Sequence, residues 1–169
     1  MNEMTTTQST ASRRRSVLAL VMAACLPLVT AIAAHAGGDW NDAGVKWQGY
    51  EDGLAAAKKE NKPVCLVFYT DWCPHCANYS KVFHDPKVVE KSKEFVMIRL
   101  NKDQNDAISG KYAPDGQYIP RTFFLNAKGE LQPDIHEQRD QYKYFYSESD
   151  PAGVLRGMDE ALKKLESKS

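Results

Sequence analysis

The pentapeptide Trp72-Cys73-Pro74-His75-Cys76 constrains this chain more than any other feature. It follows an apolar run, Val64-Cys65-Leu66-Val67-Phe68-Tyr69, that opens after Pro63 and reads as a short buried strand. Residues from Ala77 to Phe83 can continue as a helix. Two cysteines two residues apart on a first helical turn can face each other and cycle between dithiol and disulfide. A helix N-terminus favours a thiolate there, so the position suits redox chemistry.

Other uses of a C-x-x-C pair fit less well. Structural zinc needs further ligands at ordered spacing. The remaining cysteines, Cys25 and Cys65, form no second pair, and His35, His75, His84 and His136 show no H-x₃₋₅-H spacing. Covalent haem attachment needs a histidine directly after the second cysteine, where Ala77 stands. A permanent staple across two residues would constrain little of the unfolded chain. The sequence therefore predicts neither a metal nor a cofactor.

Residues 1–36 read as an export leader. Arg13-Arg14-Arg15 is the positive region, Val17 to Ala33 the apolar region, and Ala34-His35-Ala36 an A-x-A cleavage site. Pro27 interrupts the apolar run, so a retained membrane anchor is the lesser expectation. Ser12-Arg13-Arg14 loosely matches a twin-arginine signal, and Ala23-Ala24-Cys25 is a poor lipoprotein site. Cleavage after Ala36 discards Cys25 and leaves one domain, residues 37–169, with Cys65, Cys73 and Cys76. Of 22 basic and 22 acidic residues, cleavage removes three arginines and one glutamate, leaving 19 and 21. That balance gives no basic footprint for nucleic acid. An exported product, destined for an oxidising compartment such as a bacterial periplasm, suits a redox pair. A monomer without stable membrane insertion is expected.

Glu51 to Asn61 reads as an amphipathic helix, Phe95 to Leu100 as a second strand and Thr122 to Leu125 as a third. Asp85-Pro86 marks a kink or a fresh helix start. Asn101 to Gly116 is polar and turn-rich, a loop with one helical turn around Ala107 to Tyr112. Asn126-Ala127-Lys128-Gly129 turns the third strand back toward a short strand near Glu130-Leu131. Asp150-Pro151 caps a closing helix whose Val154, Leu155, Met158, Leu162 and Leu165 form an apolar stripe. Alternating strands and helices ending in a hairpin and helix predict an α/β fold, a mixed β-sheet flanked by helices.

A strand, W-C-x-x-C, a helix, a strand, an isolated Ile119-Pro120 before another strand, a hairpin and a terminal helix together resemble the thioredoxin family over residues 45–168. Asp115 to Arg121 and Tyr142-Lys143-Tyr144-Phe145-Tyr146 resemble its small single-domain secretory members, the anterior-gradient relatives among them. The Pro-His dipeptide instead resembles the periplasmic disulfide oxidant DsbA, whose inserted helical domain does not fit between Leu100 and Ile119. The resemblance implies a thioredoxin-like fold, with Cys73 as nucleophile and Cys76 as resolving thiol. His75 is expected to donate to, or place positive charge near, the Cys73 sulfur and so bias the pair toward oxidation. Pro74 suits the first helical turn. Trp72 either shields the pair, offers clients a surface or simply packs. Pro120 matches the family's cis-proline, exposing backbone groups of Ile119 to a client peptide. Arg121 either tunes the thiolate or sits on the surface.

One departure concerns position 67. Many thioredoxins carry a buried acid six residues before the first active cysteine, where this chain has Val67. Proton transfer must then use water, His75 or a client group. Cys65 is expected to be a small core residue, and His84 and His136 packing residues. The aromatic run 142–146 is likewise expected to pack, with Tyr142, Tyr144 and Tyr146 alternating on one face that could instead form a client surface. The function expected is an exported protein thiol–disulfide oxidoreductase with protein thiols and a redox-recycling partner as its partners. The alternative is a folding-assistance module that captures clients through Cys73 without efficient turnover. A peroxidase fits less, because no distinctive peroxide pocket is legible.

Overall fold

Strand β2 (Val64–Tyr69) alternates its side chains between two apolar cores, and this alternation organises the molecule. Cys65 and Val67 face one cluster; Val64, Leu66 and Phe68 face the other. A strand apolar on both faces belongs at the centre of a sheet covered on both sides. The computed structural model, which describes residues 37–167, shows that arrangement. The sheet runs β1 (Trp47–Gln48), β3 (Val96–Asn101), β2 and β4 (Arg121–Leu125). β1 and β3, and β3 and β2, pair in parallel, while β4 runs antiparallel to β2 with Val67 opposite Thr122. The sheet is mixed and flanked by helices, as the sequence predicts.

Helix α1 (Tyr50–Glu60) covers one face with Ala57 and Leu54, and Asn61 ends it in the left-handed conformation (φ 50°). Asn is one of the few residues that adopt it readily. On the other face, α2 (Pro74–Tyr79), a 3₁₀ turn (Ser80–His84), α3 (Pro86–Ser92) and α5 (Ala152–Glu166) bury Tyr79, Phe83, Val88, Val154 and Met158. The helix expected from Ala77 to Phe83 thus tightens into a 3₁₀ turn. Asp85-Pro86 is a fresh start: Asp85 Oδ1 accepts from Lys87 and Val88 N–H, and proline occupies the first turn.

Three details differ from the sequence expectation. The two-residue strand β1 is too short to leave a pattern. The segment after β3 is more ordered than a loop, with a 3₁₀ turn (Lys102–Gln104) and helix α4 (Asp106–Lys111). The return strand near Leu131 reduces to a single antiparallel bridge with Leu125. The leader and its cleavage site lie outside the described residues. No helix among the described residues is long and apolar enough to cross a membrane.

Helix α5 meets the sheet through glycine. A Cβ built on Gly157 would stand 2.3 Å from Cε2 of Phe124, a fully buried ring. Gly157→Ala gains about 1 kcal/mol of helix propensity, but overpacking a closed core costs about 1–3 kcal/mol. The clash wins, because Phe124 has no free space to enter. The variant is expected to have a lower urea midpoint than the parent at unchanged m-value; an equal or higher midpoint would show that the ring yields.

Candidate active site

The sulfur of Cys73 caps its own helix. Cys73 is the N-cap of α2, with extended backbone (φ −86°, ψ 112°), and its Sγ accepts the Cys76 N–H at 3.1 Å. Pro74 at the first position has no N–H to leave orphaned. The cap satisfies a free backbone donor of the first turn and aims an N–H dipole at the sulfur that must carry charge during exchange. Cys73 keeps 4% of its surface accessible and Cys76 keeps none. Both are free thiols. Cys73 is thus the more accessible of the two thiols.

Burial pushes the Cys76 thiol well above its ordinary pKa, and its hydrogen bond with Cys73 pushes the same way. The Thr70 backbone acts in the opposite direction, while the charges of Cys73 and Glu148 add to the rise. Cys76 is therefore a protonated, protected thiol at neutral pH. Val67 is buried in β2 among apolar neighbours and offers no proton acceptor. Cys65 is fully buried, and burial raises its pKa far beyond the ordinary range, so it is a core residue and not a third reactive thiol.

His75 departs from expectation. Its ring does not address the Cys73 sulfur; Nδ1 lies 2.5 Å from Oε1 of Glu148, and the ring stands edge-on to Phe145 with centroids 5.9 Å apart. The cause is local: the sulfur is buried and already holds the Cys76 N–H, whereas Glu148 offers a charge-assisted partner at the surface. His75 can bring charge to the site's rim only as half of a matched pair. Glu148 lies in a short polar turn 73 residues away, and no local pattern links it to the motif.

Trp72 is 71% exposed, with its indole N–H donating to Asp103 Oδ2 at 2.8 Å. Simple packing is thereby excluded. The Ile119–Pro120 peptide is cis, with Pro120 buried and Ile119 half-buried against the cluster that holds both active cysteines. Ile119 and His75 line one groove with Tyr118, Arg139, Tyr142 and Phe145.

Arg121 does not lie on the surface. It is fully buried in β4, donating to the carbonyls of Tyr112 (2.6 Å) and Gly116 (2.9 Å) and to Ser109 Oγ. Its side chain ties the end of α4 and the following turn to the sheet, just behind the Ile119–Pro120 corner. Burial lowers its pKa from the ordinary value, while the Tyr118 and Asp115 charges oppose that.

The three alternating tyrosines also part company. Tyr144 and Tyr146 are buried, whereas Tyr142 is 54% exposed. The segment is not a regular strand: Tyr142 takes a left-handed backbone (φ 54°), which breaks the alternation on which a shared face depends. Tyr144 O accepts the Thr122 N–H and lays this segment beside the start of β4. His84 Nε2 donates to Asp39 O and His136 Nδ1 to Glu137 O, both in local packing. Among the described residues no group of three or more His, Cys, Asp or Glu could hold a metal ion.

Comparison with known proteins agrees with this geometry. A family model described as thioredoxin-like matches residues 46–127, from just before β1 to just after β4. The human anterior gradient protein 2 homolog is 34% identical over 127 residues, covering 75% of this chain and 71% of that protein. A thioredoxin from Thermus thermophilus superposes with a TM-score of 0.56 at 21% identity, covering 72% of this chain and 89% of that one. A structure described as DsbH oxidoreductase gives 0.54 at 19% identity, covering 70% and 85%. The two superpositions share the fold, and the relative in sequence extends the match through most of the described residues: the chain belongs to the thioredoxin-like family.

Proposed function

We propose that this chain is an exported thiol–disulfide oxidoreductase that exchanges disulfides with protein clients through Cys73 and Cys76. The observation that carries this reading is the cysteine pair itself. One sulfur receives a backbone N–H and remains just accessible, while the other is buried and protonated one turn on.

In the reducing direction, the Cys73 thiolate attacks one sulfur of a client disulfide, and the other sulfur leaves as a thiolate that takes a proton from water. A mixed disulfide results. Cys76 then loses its proton and attacks Cys73 Sγ; the Cys73–client bond breaks and the client's second thiolate departs. The client has gained two electrons and the pair has lost two. Run backwards, the same steps place a disulfide in a dithiol client. A second dithiol–disulfide couple must reset the pair in either case. The cis Ile119–Pro120 corner beside the cysteines supplies backbone groups for pairing with an extended client segment. Export rests on the leader pattern of residues 1–36, and a periplasmic destination is its simplest form.

Direction is set by the pair's potential, and equilibration with glutathione measures it. A midpoint near about −120 mV makes the chain an oxidant and one near about −270 mV a reductant. His75 alone would favour the oxidising end, but with Glu148 as its partner the bias is offset, so a value between these limits is expected. Failure of Cys73 and Cys76 to form a reversible disulfide at any glutathione ratio would leave only client capture as a function.

A further inference from the structure

Trp72 and Tyr142 are the only large apolar side chains exposed among the described residues; Trp72 directly precedes Cys73, and Tyr142 shares a groove with His75, which stands between the two cysteines. Tyr142 helps line a groove of about 300 Å³ that His75 and Ile119 share. Tyr118, Ile119, Phe145 and Arg139 line it as well.

This groove is held open by bonds that do not depend on a ligand. Tyr118 OH donates to Asp115 Oδ2 at 2.7 Å and accepts the Tyr144 N–H at 3.0 Å. The Lys143 N–H donates to the same Asp115 oxygen at 2.7 Å. Tyr118 and the Lys143 backbone therefore hang on one carboxylate. Tyr142 meets Tyr118 edge-to-face, centroids 4.9 Å apart, and keeps a left-handed backbone rare for a residue of its bulk. Backbone in that region persists only where surrounding structure over-determines it, and such residues cluster at ligand clamps.

Charge identifies what the groove suits. Arg139 donates to Phe145 O and lies over the Phe145 ring, its guanidinium 5.8 Å from the centroid. It has no carboxylate partner among the described residues, and most of its donors are uncommitted. The other groups at the groove are already matched or spent. His75 is paired with Glu148, and Asp115 Oδ2 is committed behind the wall. Asp140 is exposed beside Arg139 in sequence but does not line the groove. The groove is thus an aromatic slot with one unmatched positive charge.

We propose that this groove selects clients whose reacting cysteine is flanked by an aromatic or aliphatic residue and an acidic one. The apolar side chain packs among the aromatic rings that line the groove, and the carboxylate pairs with Arg139. The proposal rests on the reading of the chain as a disulfide exchanger and adds its substrate class. Because the walls are preformed, the preference resides in binding and not in the sulfur chemistry.

The test uses the full chain, prereduced, in single turnover. Substrates are short peptides whose one cysteine is disulfide-bonded to mercaptoethanol. They carry tyrosine on one side and Glu, Gln or Lys at successive flanking positions. Half-saturating concentrations are expected to rank Glu below Gln below Lys at one position, with a Glu-to-Lys gap of roughly three- to tenfold. Arg139→Gln erases that ranking, Arg139→Glu inverts it, and Arg139→Lys retains it. Tyr142→Ala raises the half-saturating concentration of tyrosine peptides only. Hydroxyethyl disulfide, neutral and too small to fill the groove, measures the parent's disulfide exchange by itself. No ranking in the parent, or the same ranking in Arg139→Gln, overturns the proposal while leaving disulfide exchange intact. Failure of the parent on hydroxyethyl disulfide overturns the exchange reading itself, and the proposal with it.

Discussion

Replacing Cys73 by serine is expected to lower protein disulfide exchange by at least about a thousandfold while leaving the fold in place. A serine hydroxyl does not ionise near neutral pH and does not attack disulfide sulfur, so the first bond cannot form. Among the described residues no other thiol substitutes: Cys76 has no accessible surface and burial holds its proton, and Cys65 lies sealed in β2. Stability should hardly change, because the serine oxygen can accept the Cys76 N–H that Cys73 Sγ accepts now, and serine is a good N-cap. Cys76→Ser should behave differently. It retains the attacking sulfur but cannot resolve, so it accumulates a mixed disulfide that non-reducing electrophoresis detects. Insulin reduction in dithiothreitol and urea unfolding of each variant separate the two effects. A Cys73→Ser variant that keeps the parent's turnover would falsify the enzymatic reading, leaving the cysteines as ornaments of a client-binding surface.

The second large effect concerns stability, at a residue far less conspicuous in sequence. Arg121→Met is expected to cost about 3–5 kcal/mol, because it removes one member of a buried polar set and leaves the others without partners. Methionine fills much of the same volume, so cavity formation is the smaller loss. The Tyr112 carbonyl and Ser109 Oγ lose their donor in buried positions that water does not readily reach, and the Gly116 carbonyl loses one of its partners at a part-buried position. Asp115, whose charge acts on the guanidinium, keeps a buried Oδ1 with no hydrogen-bond partner and loses that compensation. For a domain of this size the melting temperature should fall on the order of 10 °C. Arg121→Lys should not restore it, since a single ammonium cannot span three acceptors held by a planar fork. Equal melting temperatures for parent and Arg121→Met would show that the loop from Ser109 to Gly116 stands without the arginine. If the arginine does hold that loop, the Ile119–Pro120 corner should loosen with it, and client exchange should weaken more than reduction of hydroxyethyl disulfide.

Glu148 links the two halves of the site. It accepts from His75, and its charge adds to the rise in the pKa of the Cys76 thiol. A residue that offsets the motif histidine and steadies the proton on the resolving thiol moderates both ends of the exchange. Val67 supplies nothing in compensation, since it faces only the apolar core.

The cysteine pair, the strand and helix around it and the two-sided apolar pattern of β2 were legible from local sequence. Each depends on residues within one or two turns of one another, where spacing alone decides which side chains share a face. The positions of Pro74 and Asp85-Pro86 were legible for the same reason, because proline and a capping carboxylate act on their own turn. What Arg121, His75 and the tyrosines do was not. Arg121 is charged, and only the closing of α4 and its turn over β4 makes its burial tolerable. His75 could have faced the sulfur, but Glu148, brought from 73 residues away, offers the stronger bond. Tyr142 is separated from Tyr144 and Tyr146 by one left-handed residue conformation, its own, which no alternating pattern announces. By itself the sequence determined that this chain carries a reactive pair on a thioredoxin-like frame. The tertiary structure alone decided what surrounds that pair, because contacts between distant segments depend on how the two cores pack and not on any spacing along the chain.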